Sequence, residues 1–224
     1  AMNLKFRLEH DSFGELLVPF DALYGAQTQR AIENFQISGL QMPAEFIQAM
    51  ALIKAAASEA NGVLGHLPKA RAKAISKAAN DLVSSEFADQ FPVDVFQTGS
   101  GTSTNMNLNE VIANLVRRQT KLSVHPNNDV NLGQSSNDVV PSASLLSCNL
   151  LLQRRLLPAL KQLRLSVAKK ARQGRNLIKT GRTHLMDAMP ITVEQELLAW
   201  LAQLESAAAR LQDTGKRLQC LPLG

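Results

Sequence analysis

The sequence predicts a mainly α-helical protein, and three observations lead to that fold class. Aromatic residues make up only 4% of the 224 residues, and β signal is confined to residues 16–18 and 93–96, which argues against a large sheet. Apolar residues recur at helical spacing along several segments. One segment, residues 141–174, is much longer than a typical globular helix and carries two apolar stripes. We therefore expect a mixed, mostly helical first domain that leads into the first long helices of a bundle.

Three amphipathic segments follow one another in the first domain. Residues 43–61 begin at Pro43 and end at an Asn-Gly pair, which is a common helix stop. Residues 70–87 are Ala-rich and carry one apolar stripe. From Asn105 onward the apolar residues follow the i, i+3, i+4, i+7, i+8 rule, through Leu108, Val111, Ile112, Leu115 and Val116. The sequence thus predicts three helices before residue 120.

The long element of residues 141–174 would span about 50 Å at ~1.5 Å per residue. Pro141 suits its first turn, whereas Pro158 lies inside it and is expected to kink it. A further helix is predicted from near Pro190 to about Lys216. The loop of residues 120–137, before these helices, is polar and lacks periodicity. We therefore predict two domains, residues 1–136 and the incomplete bundle of residues 137–224.

Composition excludes several classes of protein. Hydrophobic residues make up 45% and charged residues 19%, which excludes a disordered chain. No apolar run approaches the ~18 to 20 residues that a membrane helix requires. Charged residues such as Lys5 and Arg7 interrupt any signal-peptide core. Cys148 and Cys220 are too few for a disulfide framework, which favours a reducing, cytoplasmic location.

Three polar loops are each predicted to lead into a helix amino terminus. They are residues 98–105, 134–138 and 181–184, which are rich in hydroxyl, amide or Gly residues. Helix starts carry unpaired N–H groups and the positive end of the helix dipole, so they bind anions readily. Brought together, the loops would form a receptor for a small polyanion, with His184 available for proton transfer near neutral pH.

The same loops have simpler interpretations. Ser, Thr, Asn and Asp are the commonest residues before any helix, so capping explains each loop taken singly. Gly99 and Gly101 mimic a dinucleotide fingerprint, but Thr104 stands where its third Gly belongs, and no P-loop sequence is present. The four histidines are scattered without metal-ligand spacing, so we expect no metal site.

The net charge of +5 is unevenly distributed along the chain. No Asp or Glu lies between Val139 and Met186, a stretch that contains ten Lys and Arg residues. Such a basic block could bind nucleic acid, attract an anionic substrate or meet an acidic surface. No aromatic residue lies between Phe96 and Trp200, so this stretch has no aromatic side chain on which nucleic-acid bases could stack. We favour a partner-facing, substrate-attracting surface; the alternative from another class is a non-catalytic helical module that binds anions or nucleic acid.

Several motifs lie in and around these loops. They are Tyr-Gly-Ala-Gln-Thr-Gln-Arg at 24–30, Gln-Thr-Gly-Ser-Gly-Thr at 97–102 with Asn-Met-Asn at 105–107, His-Pro-Asn at 125–127, Gln-Ser-Ser-Asn-Asp at 134–138, and Gly-Arg-Thr-His-Leu at 181–185 with Asp187. In order and spacing they resemble the class II fumarase branch of the fumarase/aspartase superfamily, over essentially the whole chain. The resemblance implies an L-aspartase-like fold.

The resemblance also implies an activity, which is the reversible hydration of fumarate to L-malate in the tricarboxylic acid cycle. It implies a lyase that needs neither metal nor organic cofactor, a small dicarboxylate substrate, a homotetramer, and no nucleic-acid or membrane partner. His184 matches the histidine that serves proton transfer. The positions that match substrate-carboxylate contacts are Ser100, Gly101, Thr102, Ser135, Ser136, Asn137 and Thr183. The positions that match a secondary dicarboxylate site are His125, Pro126, Asn127 and Asn128.

The sequence departs from the family pattern in three places. Asn128 stands where the family commonly has Asp, and Leu122 stands where an Arg is usual. Nothing in the chain matches the family's flexible Gly-Ser-Ser loop, which supplies a serine base and a substrate-binding lysine. We therefore expect an amino-terminal portion of a subunit, roughly half of one, that is inactive alone.

The nearest enzyme alternative is aspartase, which adds ammonia instead of water. Aspartases tend to have Met and Ala where Thr98 and Ser100 stand, and Ser-Thr-Asn at residues 135–137, so this sequence is closer to fumarases. A purely structural, lens-type use of the fold is a further alternative. The intact Thr183-His184 pair argues against it.

Overall fold

The computed structural model describes residues 5–223, apart from the side chains of Ser85 and Glu86. The chain forms two compact units, which are described separately. The first comprises the chain up to Ser147 with the segment from Leu221, and the second comprises Cys148–Cys220. Helices predominate in both units, which confirms the mainly α-helical fold class.

The first unit combines a β-hairpin with packed helices. Its elements in chain order are β1 (Phe6–Asp11), β2 (Gly14–Pro19), α1 (Ala26–Asn34), α2 (Ala44–Val63), α3 (Lys69–Asp81), a 3₁₀ helix (Ser85–Gln90), α4 (Thr102–Thr120), a π-helical turn (Pro126–Val130) and the start of α5 (Ser136–Leu151). β1 and β2 pair antiparallel. Residues 16–18 lie in β2, as predicted, whereas β1 was not predicted.

The three helices predicted before residue 120 are present as α2, α3 and α4. The second does not reach residue 87, because α3 ends at Asp81 and the 3₁₀ helix follows. α4 begins at Thr102 rather than at Asn105. Their apolar stripes form one core, in which these side chains have no exposed surface: Met50, Ile75, Leu108, Val111, Ile112 and Val116.

Residues 93–96 do not form the predicted strand. Asp94 makes only an isolated bridge with Gln41, because its side chain organises a turn instead. The Asp94 carboxylate accepts hydrogen bonds from the backbone N–H groups of Ser38, Gly39 and Phe96 at 2.7 to 2.8 Å, and from the Ser38 hydroxyl. Burial alone would raise the pKa of Asp94, but these donors outweigh it and lower the pKa to about 2.

This turn predicts acid sensitivity. Because the pKa of Asp94 is about 2 in the folded chain and 3.8 ordinarily, its carboxylate stabilises the fold above about pH 4, and this contribution is lost as the pH falls to about 2. We expect Asp94→Asn to lower the free energy of unfolding at neutral pH, with the deficit shrinking between about pH 4 and 2. Urea denaturation across this range measures it, and a deficit that does not change with pH would contradict the assignment.

The long helix begins five residues earlier than predicted. α5 starts at Ser136, where the Ser135 Oγ accepts a hydrogen bond from the Asn137 N–H at 3.2 Å, so Pro141 lies inside the helix and not in its first turn. A π-helical segment (Leu152–Leu156) follows α5 and directly precedes α6 (Leu157–Gln173). Pro158 lies in the first turn of α6, so the helix is irregular where this proline was expected to disturb it.

The second unit is an antiparallel helix pair with a β-hairpin between its helices. The hairpin consists of β3 (Ile178–Thr183) and β4 (Met186–Thr192), and α7 (Val193–Arg217) follows it. Gly174, at the end of α6, packs against Val193 at the start of α7, whereas Gly215 lies against Leu152. The two helices therefore run in opposite directions.

The helix predicted from near Pro190 begins instead at Val193. Pro190 lies in β4, where it pairs with Thr180. Thr192 caps α7 through a capping box, because its Oγ1 accepts from the Gln195 N–H and the Gln195 side chain accepts from the Thr192 N–H. These two reciprocal hydrogen bonds fix the start of the helix three residues after the proline.

No helix of the described chain is both long and apolar enough to cross a membrane. The predicted division into domains 1–136 and 137–224 stays a prediction. By compactness, the first turns of α5 belong with the first unit, up to Ser147.

Candidate functional site

The first predicted polar loop forms the amino-terminal end of α4. Gly101 precedes the helix with a φ of 69°, a left-handed conformation that favours glycine. Gln97 accepts a hydrogen bond from the Thr104 N–H at 2.9 Å, and the Ser100 and Thr102 hydroxyls lie 2.9 Å apart. Two predicted substrate-binding hydroxyls are therefore adjacent at a helix start, where the dipole favours an anion.

The second predicted loop forms the amino-terminal end of α5 and meets the first. The Asn105 Nδ2, on α4, donates a hydrogen bond to the Ser136 Oγ at 3.0 Å. Val140, on the first turns of α5, packs so closely on Gly101 that a side chain there would come within 3.0 Å of it. Ser135 and Asn137 are exposed, whereas Ser136 is half-buried. The first unit therefore brings six predicted site residues together: Ser100, Gly101, Thr102, Ser135, Ser136 and Asn137.

A cleft of about 560 Å³ lies along α4 in the first unit. Its walls include the end of β1, the start of α1 and the π-helical turn. Thr102 lines this cleft together with His125, Pro126 and Asn127, so one primary-site residue shares a cavity with three of the four predicted secondary-site residues. Arg117 on α4 supplies a cationic side chain to the same wall.

The predicted secondary-site residues form a tight turn. The His125 Nδ1 accepts hydrogen bonds from the N–H groups of Asn127 and Asn128 at 3.2 and 3.1 Å. Asp129 Oδ2 accepts from the His125 N–H at 2.7 Å, which closes the turn from the other side. Because Nδ1 is an acceptor, the imidazole proton lies on Nε2, which is thus a hydrogen-bond donor. Leu122, at the family's Arg position, packs against the apolar core.

Thr183 and His184 belong to the second unit. Both are exposed, and His184 and Leu185 form the tight turn of the β3–β4 hairpin. The expectation that this loop leads directly into a helix is therefore wrong, because strand β4 comes between. Arg182 and Asp187 pair across the hairpin at 3.4 Å, so Asp187 is engaged with the guanidinium.

The backbone at this turn is strained. His184 and Leu185 have φ values of 51° and 62°, the region that a residue with a Cβ atom rarely adopts. Such strain costs on the order of 1–3 kcal/mol per residue and is concentrated at functional sites. The hairpin thus holds His184 at an exposed tip in a conformation that local stability alone does not favour.

Besides Asp94, two buried charged residues were not predicted as part of any site. Glu110 on α4 accepts hydrogen bonds at the start of α1, from the N–H groups of Gly25, Gln27 and Thr28. Lys54 on α2 is fully buried. The only sequence signal for Lys54 is that a charged residue occurs within the apolar stripe of α2. Within the described chain, no group of three or more His, Cys, Asp or Glu side chains is placed to hold a metal ion.

Comparison with known sequences adds to this geometry. A family model described as lyase matches residues 14–224. A protein of Xylella fastidiosa named fumarate hydratase class II is 61% identical over 220 residues, which are 98% of this chain and 46% of that protein. The chain therefore spans about half the length of the curated relatives it matches.

Solved structures have the same fold. A class II fumarase from Schistosoma mansoni superposes with a TM-score of 0.94 at 37% identity, over 98% of this chain and 48% of that one. A Brucella melitensis protein described as fumarate lyase:delta crystallin gives a TM-score of 0.91 at 41% identity, over 97% of this chain and 52% of that one. Both likenesses extend through the two units of the chain.

Proposed function

This chain belongs to the lyase family, and on that basis we propose that it forms part of a class II fumarate hydratase, which interconverts fumarate and L-malate. The observation that carries the proposal is the meeting of two helix starts. The amino-terminal ends of α4 and α5 are joined by the hydrogen bond from Asn105 to Ser136 and by the packing of Val140 on Gly101. Together they present hydroxyl, amide and backbone N–H donors to a small dianion.

The reaction requires such a site. Removal of the proton beside a malate carboxylate leaves an aci-carboxylate with an additional negative charge, after which hydroxide leaves and is protonated to water. Fixed donors at two helix starts stabilise that charge more than they stabilise the ground state, which lowers the barrier. In this proposal the substrate carboxylates are bound by Ser100, Thr102, Ser135, Ser136 and Asn137, and Gly101 allows the close approach.

His184 carries the proton-transfer role in this proposal, and Thr183 beside it contacts substrate carboxylate. Histidine is the side chain that most often serves as a general acid or base in enzymes. The turn formed by His125, Pro126, Asn127 and Asn128 is proposed as the secondary dicarboxylate site, with the His125 Nε2–H as a donor. Because residue 128 is Asn and not Asp, the turn lacks a negative charge that would repel a bound dicarboxylate.

Self-association is also part of the proposal. In the second unit, large apolar side chains of α6 and α7 are about half-exposed, namely Leu163, Leu165, Leu198 and Trp200. Apolar side chains on both helices suit burial against further copies of the chain. We propose a homotetramer in the cytoplasm, with no cofactor and no nucleic-acid partner.

Completing the chain tests the function. We define the completed enzyme as this chain joined after Gly224 to the carboxyl-terminal remainder of the 61%-identical relative. We expect the completed enzyme to hydrate fumarate, and the loss of the ultraviolet absorbance of fumarate measures the rate. We expect the 224-residue chain alone to be inactive.

Two controls accompany this assay. The carboxyl-terminal remainder expressed alone should be inactive, so that activity requires the helix starts of this chain. Retention of DNA by the 224-residue chain with a steep salt dependence, combined with an inactive completed enzyme, would favour the nucleic-acid alternative.

A further inference from the structure

Lys54 on α2 is a buried cation that the proposed mechanism does not use. Its side chain has no exposed surface, and its Nζ donates a hydrogen bond to the Asn131 Oδ1 at 2.8 Å. Lysine is among the residues least often fully buried unless paired, and within the described chain no ion pair involves Lys54. Burial lowers the pKa of Lys54 to about 7.

Two amides connect this cation to the start of α5. The Asn131 Oδ1 also accepts hydrogen bonds from the Nδ2 atoms of Asn105 at 3.1 Å and Asn109 at 3.3 Å. The same Asn105 Nδ2 reaches the Ser136 Oγ at 3.0 Å. The Asn131 Nδ2 donates to the Gln134 carbonyl at 3.0 Å, which fixes the loop that leads into α5.

Stability does not explain this lysine. A buried ammonium loses its hydration, and replacing it with an apolar side chain of similar length is commonly neutral or stabilising. Without Lys54 the Asn131 Oδ1 would keep its two amide donors. Moreover, the buried Oδ1 atoms of Asn105 and Asn109 have no partner within the described chain, so the cluster is not optimised for hydrogen bonding.

Among the residues that the structure describes, no carboxylate forms an ion pair with Lys54, because those on the surrounding elements are engaged with other groups. The groups around its ammonium are the amides of Asn131, Asn105 and Asn109. The carboxylates and their partners are Glu59 with Ser76, Asp81 with Lys77, Glu110 with the start of α1, and Asp129 with Arg71. A dianion bound at the start of α5 would therefore be a natural counter-charge for Lys54.

We propose that Lys54 is a positioning residue of the dicarboxylate site, an inference that rests on the proposed function. Through Asn131 and Asn105 its ammonium orients Ser136, and it places a positive charge behind the helix start that receives the substrate. Substrate binding then favours the protonated lysine, and by linkage the protonated lysine favours substrate binding.

Lys54→Met in the completed enzyme tests this role. At about pH 6.5 we expect the KM for L-malate to rise roughly tenfold, with thermal stability unchanged or higher. Asn131→Ala should reproduce the rise in KM, and the double variant should add little to it, because both act through one path. Ser58→Ala is the matched control, since its buried Oγ on the same helix binds the Ala55 carbonyl and should leave the KM unchanged.

The number of protons taken up on substrate binding is a quantity that a purely structural role of Lys54 would not change. Calorimetric titration with L-malate in two buffers of different ionisation enthalpy measures the protons taken up on binding. A tenfold linkage raises the pKa of Lys54 by about one unit, so near pH 7.5 we expect Lys54→Met to take up about half a proton per site less than the unmodified enzyme. If Lys54→Met does not fold, the same comparison is made with Asn131→Ala.

The outcomes separate the two proposals. An unchanged KM or an unchanged proton uptake, in Lys54→Met or in Asn131→Ala where Lys54→Met does not fold, would overturn the role of Lys54 while leaving fumarate hydration intact. A completed enzyme that binds L-malate with Lys54-dependent proton uptake but does not convert it would support the positioning role and contradict the proposed function.

Discussion

Replacing His184 with Asn in the completed enzyme is expected to lower kcat for L-malate by ~100- to 10,000-fold, the range that general acid–base groups contribute. Asn keeps a polar side chain of similar size but cannot exchange a proton near neutral pH. His184 lies at an exposed hairpin tip in a left-handed conformation, which Asn tolerates better than most residues. The fold should therefore survive, and KM should change much less than kcat. Steady-state kinetics in both directions measure the effect.

His66→Asn is the matched control, because it makes the same chemical change at an exposed histidine outside every proposed site. Its kcat should equal that of the unmodified enzyme. If His184→Asn retained kcat within about tenfold, proton transfer would have to be assigned to another group.

Glu110→Ala is expected to produce the largest loss of stability in the first unit, on the order of 3–5 kcal/mol. The Glu110 carboxylate is buried and accepts four hydrogen bonds at the start of α1, from the N–H groups of Gly25, Gln27 and Thr28 and from the Thr28 hydroxyl. α1 has no capping side chain of its own and no acidic residue in its first turn. Removing the carboxylate leaves four buried or half-buried donors without their acceptor.

Glu33→Ala is the control for this prediction. Glu33 lies on α1 and binds the Gln29 side chain in an exposed hydrogen bond, so its loss should change the free energy of unfolding by about 0.5 kcal/mol or less. Urea denaturation of both variants gives the comparison. Equal effects of the two substitutions would show that Glu110 does not cap α1.

α1 was not predicted. The other helices could be predicted because their apolar residues recur at helical spacing. α4 is the clearest case, since its stripe from Leu108 to Val116 becomes the centre of the core. β1 and the β3–β4 hairpin were missed because their apolar residues do not mark a buried face. Phe6 and Leu8 in β1, and Met186 and Met189 in β4, are exposed, so the apolar residues of these strands do not indicate a buried face.

The polar loops at the starts of α4 and α5 could also be predicted, because hydroxyl and amide residues precede apolar helical patterns there. Their meeting could not, since it depends on a contact between Asn105 and Ser136, 31 positions apart. The link between Glu110 and Gly25 spans 85 positions. Lys54 lies within the apolar stripe of α2, and periodicity indicates which face of a helix is buried but not whether a buried charge has a function.

The substrate preference of the completed enzyme tests the central claim most directly. The measurement compares kcat/KM for L-malate with kcat/KM for L-aspartate, and the formation of fumarate is monitored in both reactions. We predict that L-malate is favoured by at least ~1,000-fold, because sites built from fixed hydrogen-bond donors discriminate strongly between polar groups. Equal or higher efficiency with L-aspartate, or no conversion of either compound, would contradict the assignment of this chain to a fumarate hydratase.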